Sequence, residues 1–318
     1  MAVILPNSTE EINSAEKRER VATMKIIDPH LHFFDLKLGD YHWLDAENPP
    51  FWPDKPRINN NFNESNLILT KPFSLSGFVH IEAGFDNQKP WRELEYLEQS
   101  GNKPFRAIAN LDLTASSQHV NMVIDKLMAF HSFVGVRHLL DDQALNLLTN
   151  KQVLDNFKIL NDKGLVFEVQ LALTEATTIN QLCGVIANNP DIRFILNHAG
   201  FPPAGTHTNE WQCWQHNLTS LSRYLHVAIK CSGWEMTDRN YQESWINSNL
   251  SITLATFGAK RVMLASNFPL CLFSHSNYQA YWGSILSSHF FQALPKQEKS
   301  ALCYDNALNW YAMTDILI

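Results

Sequence analysis

Short apolar runs alternate along this chain with longer stretches in which apolar residues return every three or four positions. The runs are rich in β-branched and aromatic residues, a composition typical of β-strands. The longer stretches, such as residues 120–130, 151–162 and 175–187, are amphipathic and predict helices that cover a sheet. Eight runs are predicted as strands, at residues 25–27, 77–82, 105–111, 133–137, 165–171, 193–196, 226–229 and 261–265.

Several predicted strands are apolar at nearly every position, as expected for parallel strands that are buried on both faces. No linker rich in Pro, Gly or Ser divides the chain, and no G-x-G-x-x-G motif favours a nucleotide-binding sheet. Eight consecutive βα units therefore predict a single-domain (β/α)8 TIM barrel over residues 24–318, ahead of an open doubly wound sheet. Residues 1–23 are predicted to be an N-terminal tail outside the fold, because the segment that begins at Met24 resembles a native protein start.

The connection between the first two predicted strands is long. It covers residues 35–76 and is rich in Pro, Asn and Trp. At a barrel mouth such an insert is either a lid or substrate wall, or a surface excursion that packs over the barrel. The pattern leaves both interpretations open.

Charge and cysteine content narrow the range of partners. The formal net charge of -7, from 25 basic and 32 acidic residues, comes with no basic stripe, which argues against a nucleic-acid partner. The 5 cysteines form no C-x-x-C pair, and their odd number argues against a secreted disulfide framework. No segment approaches the run of about 18 apolar residues that a membrane span needs. These features predict a cytoplasmic protein with a small-molecule partner and no membrane association, while a homo-oligomer stays open.

Histidines follow two of the predicted strands. The first strand continues into D-P-H-L-H, where His30 and His32 point to the same side of an extended chain. The sixth strand runs into N-H-A-G-F-P-P, which places His198 at another strand end. Active sites of (β/α)8 barrels form at the carboxyl ends of the strands. These imidazoles are therefore predicted to be catalytic and to meet at a metal ion or a substrate oxygen.

Other polar side chains lie at or near strand ends. Arg137 is predicted either to hold a substrate carboxylate through two parallel hydrogen bonds or to pair with Asp141 or Asp142. Lys230 is a candidate ligand, anion clamp or member of a buried ion pair. Strand alternation alone leaves open which of the remaining candidates face a substrate and which face the barrel interior or the surface; these are His80, Glu82, Glu168, Gln170, His275 and Tyr278.

An ordered set of motifs covers nearly the whole chain from Met24. It consists of I-I-D-P-H-L-H-F-F-D, G-D-Y-H-W-L, G-V-R-H, I-R-F-I-L-N-H-A-G-F-P, I-K-C-S-G-W, R-V-M-L-A-S-N-F-P-L-C-L and D-N-A-L-N-W-Y. This set resembles the amidohydrolase superfamily, and within it the lactonase branch that includes L-fuconolactonase, L-rhamnonolactonase, 2-pyrone-4,6-dicarboxylate lactonase and 4-sulfomuconolactone hydrolase. A metal-dependent decarboxylase branch is the alternative, but G-D-Y-H-W-L and I-K-C-S-G look more like the lactonases.

The resemblance implies hydrolysis of a sugar-acid or dicarboxylate lactone. In such enzymes the H-x-H pair and the histidine of strand six bind a divalent metal such as zinc or, in metal-free members, the carbonyl oxygen itself. The resemblance thus assigns His30, His32 and His198 as metal ligands or electrophilic groups. It makes Arg137 an anchor for a carboxylate or hydroxyl group, joined as candidate substrate contacts by Glu82, Gln170 and Tyr278.

The sequence departs from the family pattern at the last strand, where S-D-[WF]-P is replaced by S-N-F-P. Asn267 therefore occupies the position of the general base, and its neutral amide has no useful basicity. The loss of a negative charge also predicts that a metal is weakly bound or absent. Three interpretations stay open: a lactonase with another base, namely His198, Glu82 or Glu168; a silent protein that binds a lactone or sugar acid; and a deliberate replacement of Asp.

Overall fold

A computed structural model of the protein describes residues 23–317. Within these residues, eight parallel strands form one sheet in the order of the sequence, from β1 to β8. The predicted (β/α)8 barrel is confirmed. The strands are β1 Met24–Leu31, β2 Phe73–Ile81, β3 Phe105–Asn110, β4 Phe133–Arg137, β5 Val166–Val169, β6 Arg193–Leu196, β7 Val227–Cys231 and β8 Val262–Leu264.

Helices follow the strands and pack around the sheet. The α-helices are α1 Trp91–Ser100, α2 Ser117–Leu127, α3 Ala144–Thr149, α4 Lys151–Asp162, α5 Ala176–Asn188, α6 Asn209–Ser222, α7 Trp234–Thr237, α8 Glu243–Phe257, α9 Tyr278–Ser287, α10 His289–Ala293, α11 Lys296–Ser300 and α12 Asn306–Trp310. Shorter turns of 3₁₀-helix lie at His42–Leu44, Lys55–Arg57, Glu64–Asn66, Asp141–Gln143, His198–Gly200 and Leu270–Phe273, and Ala301–Asp305 is a π-helix. No helix in residues 23–317 combines the length and the apolar character that a membrane crossing requires.

The observed strands differ from the predicted ones mainly at the first two. β1 continues to Leu31, which pairs with His80. β2 begins at Phe73, because residues 24–26 pair with residues 73–75 before a register shift. The insert is therefore residues 32–72, so it begins and ends earlier than predicted and has nearly the predicted length. Nearly all of the predicted N-terminal tail lies outside the described residues.

The barrel closes between the end of β1 and the segment that follows β8. Leu31 and Phe268 form a parallel bridge. The amide of His32 donates to the carbonyl oxygen of Phe268 at 2.7 Å, and the amide of Asn267 donates to the carbonyl oxygen of His30 at 2.9 Å. The closure thus places the H-x-H segment beside Asn267.

Apolar side chains fill both sides of the sheet. One cluster lies inside the barrel, where residues such as Ile27, Val79 and Ile195 meet Tyr311 and Met313 from the C-terminal segment. The larger cluster packs the outer face of the strands against the helices. Because successive strand residues point to opposite faces, Leu31 packs outward while its neighbours His30 and His32 point inward.

The insert packs on the carboxyl end of the barrel. Trp43 Nε1 donates to the carbonyl oxygen of Ala83 at 2.7 Å, just after β2. Asp54 pairs with Arg239 at 2.8 Å, in the segment that follows β7. Arg57 donates to the carbonyl oxygen of Phe273 at 2.8 Å, after β8. The insert is thus tied to three loops around the mouth, which is consistent with both interpretations from the sequence.

Gly135→Ala is predicted to destabilise the barrel. An added Cβ would lie 2.3 Å from the backbone oxygen of Val166, and the neighbouring strand cannot retreat without breaking its ladder. Such overpacking typically costs about 1–3 kcal/mol, which a urea unfolding curve would measure. Gly184→Ala is the control, because nothing lies within 4 Å of the position that a methyl group would take there on helix α5. It should stabilise by about 0.5–1 kcal/mol, and equal effects of the two changes would contradict the prediction.

Candidate functional site

The predicted histidines meet at the mouth of the barrel. The ring centroids of His30 and His32 are 5.1 Å apart, and those of His30 and His198 are 4.7 Å apart. His30 is fully buried, and His32 and His198 are 6% and 5% exposed. The structure therefore brings the histidines of strands β1 and β6 together in a site that is closed to bulk solvent.

Local backbone geometry directs His198 toward this cluster. His198 has a φ of 53°, in the left-handed region that few non-glycine residues adopt. Gly233, just after β7, packs against its ring, and a Cβ there would lie 2.4 Å from His198 Nδ1. Gly233 itself has a φ of 66°, so glycine satisfies both the backbone and the contact. The G-W step after β7 is therefore part of the wall of the site.

The hydrogen bonds of the imidazoles limit what each ring can do. His32 Nδ1 donates to the carbonyl oxygen of Ile81 at 2.8 Å, so its Nε2 carries a lone pair when the ring is neutral. That nitrogen can accept a proton or bind a metal, but it cannot donate to a carbonyl oxygen. His198 Nδ1 contacts Ser232 Oγ at 3.0 Å. Both ring nitrogens of His30 are buried without a partner among the described residues.

The imidazoles are held in the neutral form. Burial lowers the pKa of His30, His32 and His198 well below the usual value. The positive charge of Arg137 lowers all three further, and that of Lys230 lowers those of His30 and His198. Each neutral ring is a weak base here, but it has one nitrogen that can accept and one N–H group that can donate a hydrogen bond. The cluster is therefore suited to hydrogen bonding or metal binding rather than to carrying positive charge.

Asn267 is joined to His30 through its backbone amide, and its side chain is bonded to a carboxylate that the sequence analysis missed. Its φ of 57° is one that Asn and Asp tolerate better than most residues. Its Nδ2 donates to Glu235 Oε1 at 2.6 Å. Among residues 23–317, the other oxygens of the pair, Asn267 Oδ1 and Glu235 Oε2, have no hydrogen-bond partner.

Glu235 lies in the first turn of the short helix α7 and is fully buried. Burial raises the pKa of its carboxyl group to about 7, against the lowering effects of its own backbone amide, Asn267 and Arg239. The available signal in the sequence was a carboxylate four residues after the end of β7, in K-C-S-G-W-E. No periodicity distinguishes that position from a surface helix residue.

Arg137 and Glu82 come together at the rim as an ion pair. Arg137 Nε donates to Glu82 Oε1 at 2.7 Å, and another guanidinium nitrogen donates to the oxygen of Gln170 at 2.9 Å. The predicted alternative of pairing with Asp141 or Asp142 is wrong, because strand register puts Glu82 and Gln170 nearer. A substrate carboxylate would have to exchange with these partners. The three side chains are bonded together, and their role as substrate contacts stays a prediction.

Lys230 and Glu168 form a buried pair inside the barrel. Lys230 Nζ lies 2.5 Å from Glu168 Oε2, and Tyr311 Oη donates to Glu168 Oε1 at 2.5 Å. Burial lowers the pKa of Lys230 to about 8, although the charge of Glu168 opposes the shift. Of the predicted roles for Lys230, the ion-pair member is the one observed. Glu168 is engaged on both oxygens and is poorly placed to act as a base.

Tyr278 is buried, so its interpretation as a surface residue is wrong. Its hydroxyl donates to Asp28 Oδ2 at 3.0 Å, and the other oxygen of Asp28 accepts the amide of Ser266 at 3.0 Å. Asp28 thus links β1 to the segment after β8 and to α9, and the Tyr278 hydroxyl holds the Asp28 carboxylate in place.

His80 is bonded to Glu93 of α1 at 3.0 Å on the outer side of the sheet. His275 bonds to Tyr241 at 2.6 Å in the outer part of the rim.

The imidazole cluster has zinc-ligand chemistry, since the neutral rings of His30 and His32 carry unused nitrogens. Its arrangement does not complete a metal site: over the part of the chain that the structure describes, no three His, Cys, Asp or Glu side chains lie close enough together to hold an ion. The residues as placed do not fit a bound metal. The metal prediction for His30, His32 and His198 stays a prediction.

A model of the Amidohydrolase family matches residues 27–313. The chain belongs to the amidohydrolase family. It is 30% identical over 306 residues to the uncharacterized protein y4mH of Sinorhizobium fredii, with 92% of this chain and 99% of that protein covered. It is 23% identical over 304 residues to L-fucono-1,5-lactonase of Burkholderia multivorans, with 91% and 96% of the two chains covered.

The fold agrees with solved structures of this family. A crystal structure of an amidohydrolase from Burkholderia multivorans with bound zinc has a TM-score of 0.73 to this chain, at 20% identity, and the match covers 90% of this chain and 99% of that one. The amidohydrolase family and its lactonase relative support hydrolase activity for this chain. The resemblance to the lactonase branch that the motifs indicated is confirmed.

Glu235 is predicted to make the amidohydrolase less stable as pH rises. The folded protein keeps the carboxyl proton up to a pKa of about 7, whereas the unfolded chain releases it near the ordinary value of 4.5. Between these pH values the folded state binds more protons, so the free energy of unfolding falls as pH rises. Glu235→Gln removes this dependence and should be more stable than the parent by about 3 kcal/mol at alkaline pH and by nothing at acidic pH.

Urea unfolding between about pH 4 and pH 8 measures this difference. Glu210→Gln is the matched control, because Glu210 is exposed on helix α6. Its unfolding should follow the parent at every pH. The same pH slope in the Glu235 variant and the parent would contradict the burial of an ionisable group at this position.

Proposed function

We propose that this amidohydrolase opens a lactone by attack of water, and that its substrate is a sugar-acid or dicarboxylate lactone. The observation that carries the proposal is the meeting of His30, His32 and His198 at the carboxyl end of the barrel, where the backbone amide of Asn267 is bonded to His30. This constellation stands where barrel enzymes place their catalytic groups. The relationship to L-fucono-1,5-lactonase, across nearly the full length of both chains, adds support.

The imidazoles have different parts in the proposed reaction. The N–H groups of His30 and His198 are available to polarise the lactone carbonyl, because neither ring is tied to a backbone oxygen. His32 presents a lone pair instead, which suits a substrate hydroxyl group. Developing negative charge on the carbonyl oxygen is thus stabilised by fixed donors in a site that is closed to bulk solvent.

Arg137 at the rim is the proposed binding group for an acidic substrate. Arg137 is buried with Glu82, and Gln170 completes the group. A substrate carboxylate can take the place of the neutral Gln170 oxygen on the guanidinium without removing the salt bridge to Glu82. This arrangement supports a substrate that carries a carboxylate or several hydroxyl groups beside the lactone ring.

The predicted effect of Asn267 is altered or reduced activity, because an amide cannot take the proton from water. Positioned proton transfer contributes about 10²- to 10⁴-fold in rate. A lactonase with this residue therefore depends on another acceptor, or else it binds lactones without opening them. These two outcomes separate in one experiment.

The experiment is a panel of aldonolactones and unsaturated dicarboxylate lactones, assayed for hydrolysis and, by calorimetry, for binding. Hydrolysis above background is expected for at least one member. His30→Asn should lower kcat/KM at least about 100-fold, since a fixed donor to the developing oxyanion is lost. His216→Asn is the control, because His216 is exposed on helix α6. Binding without turnover would support a silent lactone-binding protein, and release of carbon dioxide from carboxylated aromatic acids would support a decarboxylase.

Metal content is predicted to be low. A dication in this site would lack the carboxylate that the family pattern places at residue 267, and Asn267 leaves only a neutral oxygen. Protein that is purified without chelator should therefore hold well under one equivalent of zinc by elemental analysis. A full, tightly held equivalent would contradict this expectation, and Asn267→Asp should raise zinc retention if residue 267 faces the ion.

A further inference from the structure

In the pair formed by Glu235 and Asn267, two side-chain oxygens accept no hydrogen bond from the described residues. Both side chains are almost fully buried, with 0% and 1% of their surface exposed. One bond joins Glu235 Oε1 to Asn267 Nδ2, while Glu235 Oε2 and Asn267 Oδ1 lack a donor within residues 23–317. Buried oxygens without a donor are costly. Two of them on bonded side chains suit a molecule that donates two hydrogen bonds.

This pair lies on two backbone segments that also hold the imidazole cluster. The backbone amide of Asn267 is bonded to the carbonyl oxygen of His30 at 2.9 Å. Glu235 closely follows Ser232, whose hydroxyl contacts His198 Nδ1, and Gly233, which packs against the same ring. The segments that carry the pair thus also position His30 and His198, the groups that are proposed to polarise the lactone.

We infer that Glu235 is the proton acceptor of the hydrolytic water, and that Asn267 holds this water rather than deprotonating it. Water donates one hydrogen to Glu235 Oε2 and the other to Asn267 Oδ1, which leaves an oxygen lone pair directed at the substrate. The inference rests on the proposed lactone hydrolysis. It assigns the role of general base to Glu235 at the start of α7, which is hydrogen-bonded to Asn267, rather than to residue 267 after β8.

The other candidate bases either are bonded to other side chains or have a lowered pKa. Glu82 holds Arg137, and Glu168 is bonded to Lys230 and Tyr311. His198 is neutral, and burial weakens it as a base by lowering its pKa. Glu235 is the carboxylate that touches Asn267, the residue at the family's base position.

The proposed reaction balances in two steps. First, the water oxygen bonds to the lactone carbonyl carbon while one water proton moves to Glu235, giving a tetrahedral intermediate. The bond between this carbon and the ring oxygen then breaks. The departing alkoxide takes the proton back from Glu235, so the net change is lactone plus water to hydroxy acid.

The groups around Glu235 come from several elements. Arg239 approaches from the segment after α7, and Tyr241 lies just beyond it; Asn267 and Cys271 follow β8, and Tyr281 lies on α9. Burial raises the pKa of Glu235 to about 7, and Arg239 opposes this shift. Hydrolysis should therefore fall on the acidic side of neutrality, where Glu235 is protonated.

The decisive experiment compares the pH dependence of kcat/KM in the parent, Glu235→Gln and Glu210→Gln, using the best lactone of the panel. The parent and the exposed control should share an acidic limb near the pKa of Glu235. Glu235→Gln should lose about 10²- to 10⁴-fold in rate at neutral pH, and its residual rate should lack that limb. Circular dichroism and thermal unfolding establish that each variant is folded.

Asn267→Asp tests the same inference without removing Glu235. A second carboxyl group within 2.6 Å of Glu235 would share one proton with it, so the acidic limb should move to higher pH and the neutral rate should not rise. A gain of about a hundredfold would instead show that residue 267 is the natural base position and would overturn the inference.

The outcomes separate this inference from the proposed function. If the parent opens a lactone but Glu235→Gln retains its rate and pH profile, the Glu235 role fails and lactone hydrolysis stands. A flat parent profile across the acidic range has the same meaning. If neither the parent nor any variant opens a lactone at any pH, the proposed function fails and the inference falls with it.

Discussion

The site depends on the backbone hydrogen bonds that close the barrel. His32 donates to Phe268, and Asn267 donates to His30, so the first and last strands meet within the functional segment itself. Asp28 reinforces this joint, because its carboxylate accepts the Ser266 amide and the Tyr278 hydroxyl. Any change that breaks this closure between β1 and the segment after β8 would separate His30 and His32 from Asn267. The same hydrogen bonds therefore stabilise the barrel and fix the geometry of the site.

Burial determines the protonation states of the groups near the closure between β1 and β8. Neutral imidazoles and a carboxyl group with a raised pKa follow from the same loss of water. Charges are kept where partners exist, as in the pairs of Arg137 with Glu82 and Lys230 with Glu168. The site thus combines donors that do not carry full charge with a carboxyl group that titrates near neutrality. That combination suits proton transfer to and from water.

Several parts of this arrangement could be predicted from particular residues. The apolar runs located the strands because parallel strands are buried on both faces. His30, His32 and His198 could be placed together because strand ends share one rim, and Leu31 between the first two shows the alternation directly. Arg137, Glu82 and Gln170 were each predicted as candidate substrate contacts, but the bonds among them were not predicted. Which strand-end side chains bond to each other depends on register and tilt, which periodicity does not contain.

The sequence by itself determined the barrel, the histidines and the absence of a carboxylate at residue 267, since each depends on residue type at a position along a strand. Only the tertiary structure decided that Glu235 lies 2.6 Å from Asn267 Nδ2. The tertiary structure also decided that Tyr278 supports Asp28 and that Glu168 is engaged inside the barrel. These contacts join residues that are far apart in sequence, on elements whose relative placement follows from packing. Local pattern fixes which way a side chain points, whereas its partner is fixed by the neighbour that the fold brings to it.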